Sequence, residues 1–159
     1  MKNEMSLMAE SVKMKAIGIL GDNSLLIRAE SSGETVFVSG GRWLHPLLDC
    51  IEAIETGELS GETITSDGGI CIYDRVSGKA AALLVARIAE LISPAPVSLH
   101  SALASEPALG YLSATGISVR ADEVIPRIAC ATEKDYLLEE NPSRAELSLR
   151  RRAGRGVPE

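Results

Sequence analysis

The sequence predicts an α/β protein, a three-layer α/β/α sandwich built around a mixed central sheet. Two observations carry that reading: a pair of β-branched apolar runs joined by a short turn near residue 30, and a helix-strand alternation over residues 70–121. The alternation implies parallel strands with right-handed crossovers, whereas the hairpin is antiparallel, so the sheet mixes both directions. A third observation sets the core: 45% of the 159 residues are hydrophobic but only five are aromatic, so Leu, Ile, Val and Ala must fill it. At this length one domain buries about 70% of its unfolded surface.

Residues 1–22 read as an N-terminal arm or amphipathic helix, because charges interrupt "MKNEMSLMAESVKMKAIGIL" too often for a membrane span or signal peptide. A single domain follows over 23–150. "SLLIRAE" and "ETVFVSG" are strands of a hairpin turned by "SSG". "RWLHPLLDCIEAIETGEL" places Leu44, Leu47, Leu48, Ile51 and Ile54 at helical spacing, and Gly57 stops the helix. "ETITSDGGICIYD" is broken by Asp67-Gly68-Gly69, which leaves a strand over 70–74 and a second short strand before the turn. Residues 77–92 form the next helix, ended by Ser93-Pro94. "APVSLHS" is a strand, "ALASEPALGYLSATG" a helix that begins near Ser105 so that Pro107 falls in its first turn, and "ISVRAD" a strand after Gly116. Residues 151–159 read as a disordered, Arg-rich tail.

Composition excludes several functions. The net charge is -6, and few rings are available to stack on bases, so nucleic acid is not an expected partner; the tail is the one basic patch. Cys50, Cys71 and Cys130 are odd in number and lack CxxC spacing, which points to a reducing cytoplasm and to no thiolate metal site. No membrane partner is expected either.

The segment "YDRVSGKAAALLVARIAEL" poses the functional question. A phosphate-binding loop needs a glycine five residues before its Gly-Lys and a hydroxyl after it, and those positions are Tyr73 and Ala80. What remains is Ser77 as a helix cap, with Gly78 and Lys79 in a first turn whose free N–H groups would accept an anion. Alternatively, Gly78 and Ala80–Ala82 pack the helix on the sheet and Lys79 extends to solvent.

"YDRVSGKAAALL", with "GRWLHPLLDCIE" upstream and "APVSLH", "ISVRADEVIPRI" and "CATE" downstream, resembles the prokaryotic family called domain of unknown function 1893, from about Leu25 to about Arg150. That family is placed in the cytidine deaminase-like superfamily, and the resemblance implies a mixed sheet with helices on both faces. Zinc deaminases carry H-x-E or C-x-E at one helix start and P-C-x-x-C at the next, which supply three ligands and a proton shuttle. The resemblance aligns those sites with Ser77-Gly78-Lys79-Ala80 and Pro96-Val97-Ser98-Leu99-His100, which hold one histidine and no shuttle. Neither zinc nor another cofactor is expected, and His45 and His100 read as satisfied polar residues.

The resemblance also implies that the Gly78-Lys79 helix start borders the pocket. The expected site then comprises Asp74, Ser77, Gly78, Lys79, Ser98 and Glu133, and Lys79, Cys130 and Asp74 are the candidate catalytic groups. Gly40-Gly41-Arg42 adds a further anion contact or is a plain turn. The leading expectation is a zinc-free deaminase-fold protein that binds a small anionic or nucleoside-like ligand. The alternatives are a metal-independent enzyme using Lys79 or Cys130, and a structural module that forms a homodimer through a sheet edge or helix face.

Overall fold

A computed structural model of the chain describes residues 14–59 and 68–156. Among these residues lie five strands and six helices, in the order α1 (Ala16–Leu20), β1 (Leu25–Ala29), β2 (Thr35–Ser39), α2 (His45–Glu55), β3 (Ile70–Ser77), α3 (Lys79–Ile92), β4 (Val97–Ser105), α4 (Glu106–Ala114), β5 (Ser118–Ile125), α5 (Ala131–Asp135) and α6 (Pro142–Arg152). The strands form one open sheet in the order β2-β1-β3-β4-β5. β1 is antiparallel to both β2 and β3, while β3, β4 and β5 run parallel.

Alternation along the strands sorts side chains to two faces. Leu25, Ile27, Ile70, Ile72, Val97 and Leu99 point to one face and share the main core with α2, α3, α4 and α6. α3 lies at its centre: Ala80, Ala81 and Ala82 let its backbone approach the sheet, and Leu83, Leu84, Val85 and Ile88 are fully buried. Each of those larger side chains contributes about 1.5–3 kcal/mol through burial. Leu26, Tyr73 and Ala102 point the other way, against Ala16 and Leu20 of α1. The second helical layer is therefore, among the described residues, a single five-residue helix.

Several boundaries differ from the sequence reading. β3 continues to Ser77, three residues beyond the expected end, because parallel pairing with β4 persists to Ser77↔Ala104. For the same reason β4 runs on to Ser105, beyond the expected strand "APVSLHS". α4 then starts as Pro107 requires, with the Ser105 hydroxyl accepting from the Ala108 N–H at 3.3 Å. Gly57, at φ 83°, follows the end of α2.

The expected disordered tail needs correction through residue 156. Arg151 and Arg152 complete α6, and Arg152 pairs with Asp135 at 3.0 Å. Arg155 reaches back to Asp49 at 2.6 Å and to His45 Nδ1 at 2.9 Å. Acidic side chains on α2 and α5 give these arginines partners that a linear sequence does not display. The start of the N-terminal arm (1–13), the short strand expected before the Gly-Gly turn (within 60–67) and the last tail residues (157–159) lie outside the described residues. No helix among the described residues is long and apolar enough to cross a membrane.

Candidate functional site

A cavity of about 540 Å³ opens where the carboxyl end of β3 meets the start of α3. Open α/β sheets commonly receive ligands at this edge. Asp74 of β3 and Gly78, Ala80 and Ala81 at the head of α3 form one wall; the loop between β2 and α2 and the segment around α5 form the others.

Asp74 falls on the core face of β3 by the same alternation that buries Ile70 and Ile72, and it is 8% exposed. Its Oδ2 accepts from the Ser77 hydroxyl at 2.7 Å. Burial pushes its carboxyl up to about 7, against the opposing hydrogen bonds from Ser77 and the Arg75 amide. The adjacent guanidinium does not compensate it, because Arg75 Nη2 donates instead to the carbonyls of Gly21 and Asn23. Asp74 thus exchanges a proton near neutrality at a cavity wall, a property suited to acid-base chemistry or to donating a hydrogen bond.

Ser77 does not cap α3. It is the last residue of β3, fully buried, and its hydroxyl serves Asp74; the N-cap is Gly78. One N–H of the helix start is taken by Glu133 of α5, whose carboxyl group accepts from the Lys79 N–H and, at 3.4 Å, from the Ile128 N–H. Glu133 is 2% exposed and lines the cavity. It stands at the positive end of the α3 dipole, in the position that the sequence leaves for an anion.

Gly78 makes this contact sterically possible. Its backbone has an ordinary φ of -92°, yet a Cβ there would stand 2.6 Å from Glu133 Oε2. Gly78→Ala is therefore expected to displace the carboxylate and lower stability by about 1–2 kcal/mol, the usual worth of a helix cap. In a Glu133→Ala background the same change should cost far less, and denaturant melts of the four proteins of the cycle test that non-additivity.

Lys79 turns away from the cavity. Its Nζ donates to the Leu137 carbonyl at 3.0 Å and lies 4.9 Å from the centre of the Tyr111 ring, and the residue is 4% exposed. Burial lowers its pKa, with Glu140, Glu133 and Glu139 opposing that shift. The side chain pins α3 to the segment before α6 instead of meeting a ligand. Ser98 is also separated from the cavity: it sits on the opposite sheet face, one residue out of phase with Val97 and Leu99, and donates to Glu30 at 2.8 Å.

Cys130 lines the cavity with an exposed thiol whose sulfur accepts from the Glu133 N–H at 3.4 Å. Of the expected site residues, the cavity brings together Asp74, Gly78, Cys130 and Glu133, with Ser77 behind Asp74. Gly40, Gly41 and Arg42 also line it. The sequence reading missed Trp43 and Thr132. Trp43 holds a left-handed φ of 55°, stays 45% exposed, and donates from Nε1 to Thr132 Oγ1 at 3.2 Å, which bridges two walls of the cavity. Such backbone strain in a non-glycine residue concentrates at functional sites. The one available signal was a lone tryptophan directly after Gly-Gly-Arg. No three His, Cys, Asp or Glu side chains converge as a metal site among the described residues.

These features define an α/β protein with a mixed five-stranded sheet and an acid-bearing cavity at the strand ends. Among solved structures, the crystal structure of a DUF1893 family protein from Thermotoga maritima is similar to it, with a TM-score of 0.66 at 23% sequence identity, covering 95% of this chain and 92% of that one. At that identity the likeness establishes the fold. No protein-family model matches the chain, and no curated protein does.

Proposed function

We propose that this protein binds a small nucleoside-like molecule in the Asp74–Glu133 cavity, with Asp74 as the group that recognises it. The observation that carries the reading is a carboxyl that is 8% exposed, titrates at about 7 and stands on the wall of a 540 Å³ space. That volume lies in the range of small-molecule sites, and the lining is of the mixed kind such sites use: Leu44, Leu47 and Val76 beside a few polar groups. Glu133 already places an acidic side chain against the α3 start, which disfavours an anionic group there and favours an uncharged ligand with hydrogen-bonding edges. The resemblance to the 1893 family, supported by the similar solved structure, makes a cytidine deaminase-like layout without zinc ligands the natural frame for this reading.

A metal-independent enzyme is a second reading, favoured by the exposed Cys130, a candidate nucleophile that lines the same cavity as the Asp74 carboxyl.

Thermal-shift titration against nucleosides and nucleobases tests the first reading. A hit should raise Tm in the wild type and in Lys79→Ala, since Lys79 lies outside the cavity, and should be lost in Asp74→Ala. A full panel without a shift, or a shift that survives Asp74→Ala, would overturn it.

A further inference from the structure

The sheet face opposite the main core carries a second concavity, of about 270 Å³, bounded by β3, β4, β5 and Ile19 of α1. Register brings its polar residues into two adjacent rows. Cys71, Ser98 and Ser118 align across β3, β4 and β5, and Tyr73, His100 and Arg120 align one pair of residues further on. β1 extends the first row with Arg28, whose guanidinium lies 5.5 Å from the centre of the Tyr73 ring.

The donors and acceptors here are unequal. Asp122 is fully engaged, with one oxygen on His100 Nε2 at 2.8 Å and the other accepting from the Ala16 N–H at 2.7 Å. Glu30 accepts from the Ser98 hydroxyl at 2.8 Å. Both nearby carboxylates thus already have intramolecular partners. The donors are in surplus: Arg120 uses only Nη2, toward Met14 O and the His100 ring, among the described residues. Arg28, on β1 and outside the lining, adds a positive charge beside Tyr73. Burial pushes the Tyr73 hydroxyl up to about 12, so it remains a donor across the physiological range. An arginine with unused N–H groups at the wall of a concavity is suited to pair with an oxyanion.

We infer that this concavity is a binding site for a small oxyanion, a phosphate or carboxylate group, held by Arg120 with Ser118 and Tyr73 and favoured by the nearby Arg28. It is separate from the Asp74 cavity, on the other side of the sheet, and does not rest on the reading given for that cavity.

The test is an amide NMR titration of the full chain with inorganic phosphate, and in a parallel arm with acetate, at ionic strength held constant with sodium chloride. Saturable shifts centred on Cys71, Ser98, Ser118 and Arg120 are expected in at least one arm, and the stronger arm identifies the oxyanion. Arg120→Gln should weaken the apparent affinity roughly ten-fold or more, as loss of a charged hydrogen bond does. Because Arg120 also contacts His100, Ser118→Glu provides a second variant that leaves that contact in place and should abolish the shifts by repulsion. Asp74→Asn should leave them unchanged. The inference is overturned if neither anion gives more than the chloride control, or if the shifts persist in Ser118→Glu.

Discussion

Asp74→Asn is expected to make the protein more stable above pH 7 and to flatten its stability profile between pH 4 and 7. The sign follows from linkage. An aspartate carboxyl ordinarily titrates at 3.8, and that of Asp74 titrates at about 7 in the folded chain. The folded state therefore holds its proton more tightly than the unfolded state does, and stability from this group is fully present below pH 4. It is lost progressively as pH rises to about 7 and is constant above. A shift of that size corresponds to about 4 kcal/mol when both states are ionised. Asparagine keeps the shape and can still accept from Ser77, but it replaces one carboxylate oxygen with an amide, at a cost of about 1 kcal/mol. The net gain at pH 8 is then about 3 kcal/mol, and below pH 4 the variant should be slightly less stable than wild type. Urea melts at pH 4, 6 and 8 measure this directly. Equal destabilisation at all three would mean that the Asp74 carboxylate is solvated, and the cavity wall would lose its titrating group. A residue that lowers stability at neutral pH and faces a cavity is better accounted for by function than by folding.

Gly69→Ala should be the most damaging single methyl group at the head of β3. Gly69 sits at φ 109°, where an L side chain is strained, and its Cβ would stand 2.3 Å from the Pro96 carbonyl oxygen. That oxygen also accepts from the Ile70 N–H at 3.0 Å, so neither the loop nor the strand can move without breaking the first β3–β4 contact. Strain of about 1–2 kcal/mol and an overlap of about 1–3 kcal/mol combine to about 3–4 kcal/mol, or about 10 °C in Tm for a chain of this size. Gly68→Ala is the control: φ is 76°, but nothing lies within 4 Å of the added Cβ. It should cost about 1 kcal/mol. Comparable thermal melts for the two variants would show that the Pro96 contact is absent.

The mixed α/β architecture is written in the order of residues alone, because alternating β-branched and Ala/Leu-rich segments allow few ways to bury their apolar faces. So are the Gly-Gly turn before β3 and the placement of Pro107 in a helix's first turn, which depend on backbone properties of single residues. Asp74 was legible as a residue near a strand's carboxyl end, a position fixed by local order. The charge of that residue was not, since its shift arises from burial by neighbours distant in the chain. The partner of the α3 start was hidden in the same way: Glu133, 54 residues away, takes the place assigned to Ser77 and to a ligand anion. Lys79 and Ser98 show the limit most clearly. The family resemblance suggested that both face the cavity, but helix rotation directs one side chain toward Tyr111, and strand alternation puts the other on the far side of the sheet. Local sequence sets which backbone forms, whereas the direction a side chain faces and the company it keeps depend on contacts that exist only once the chain has closed on itself.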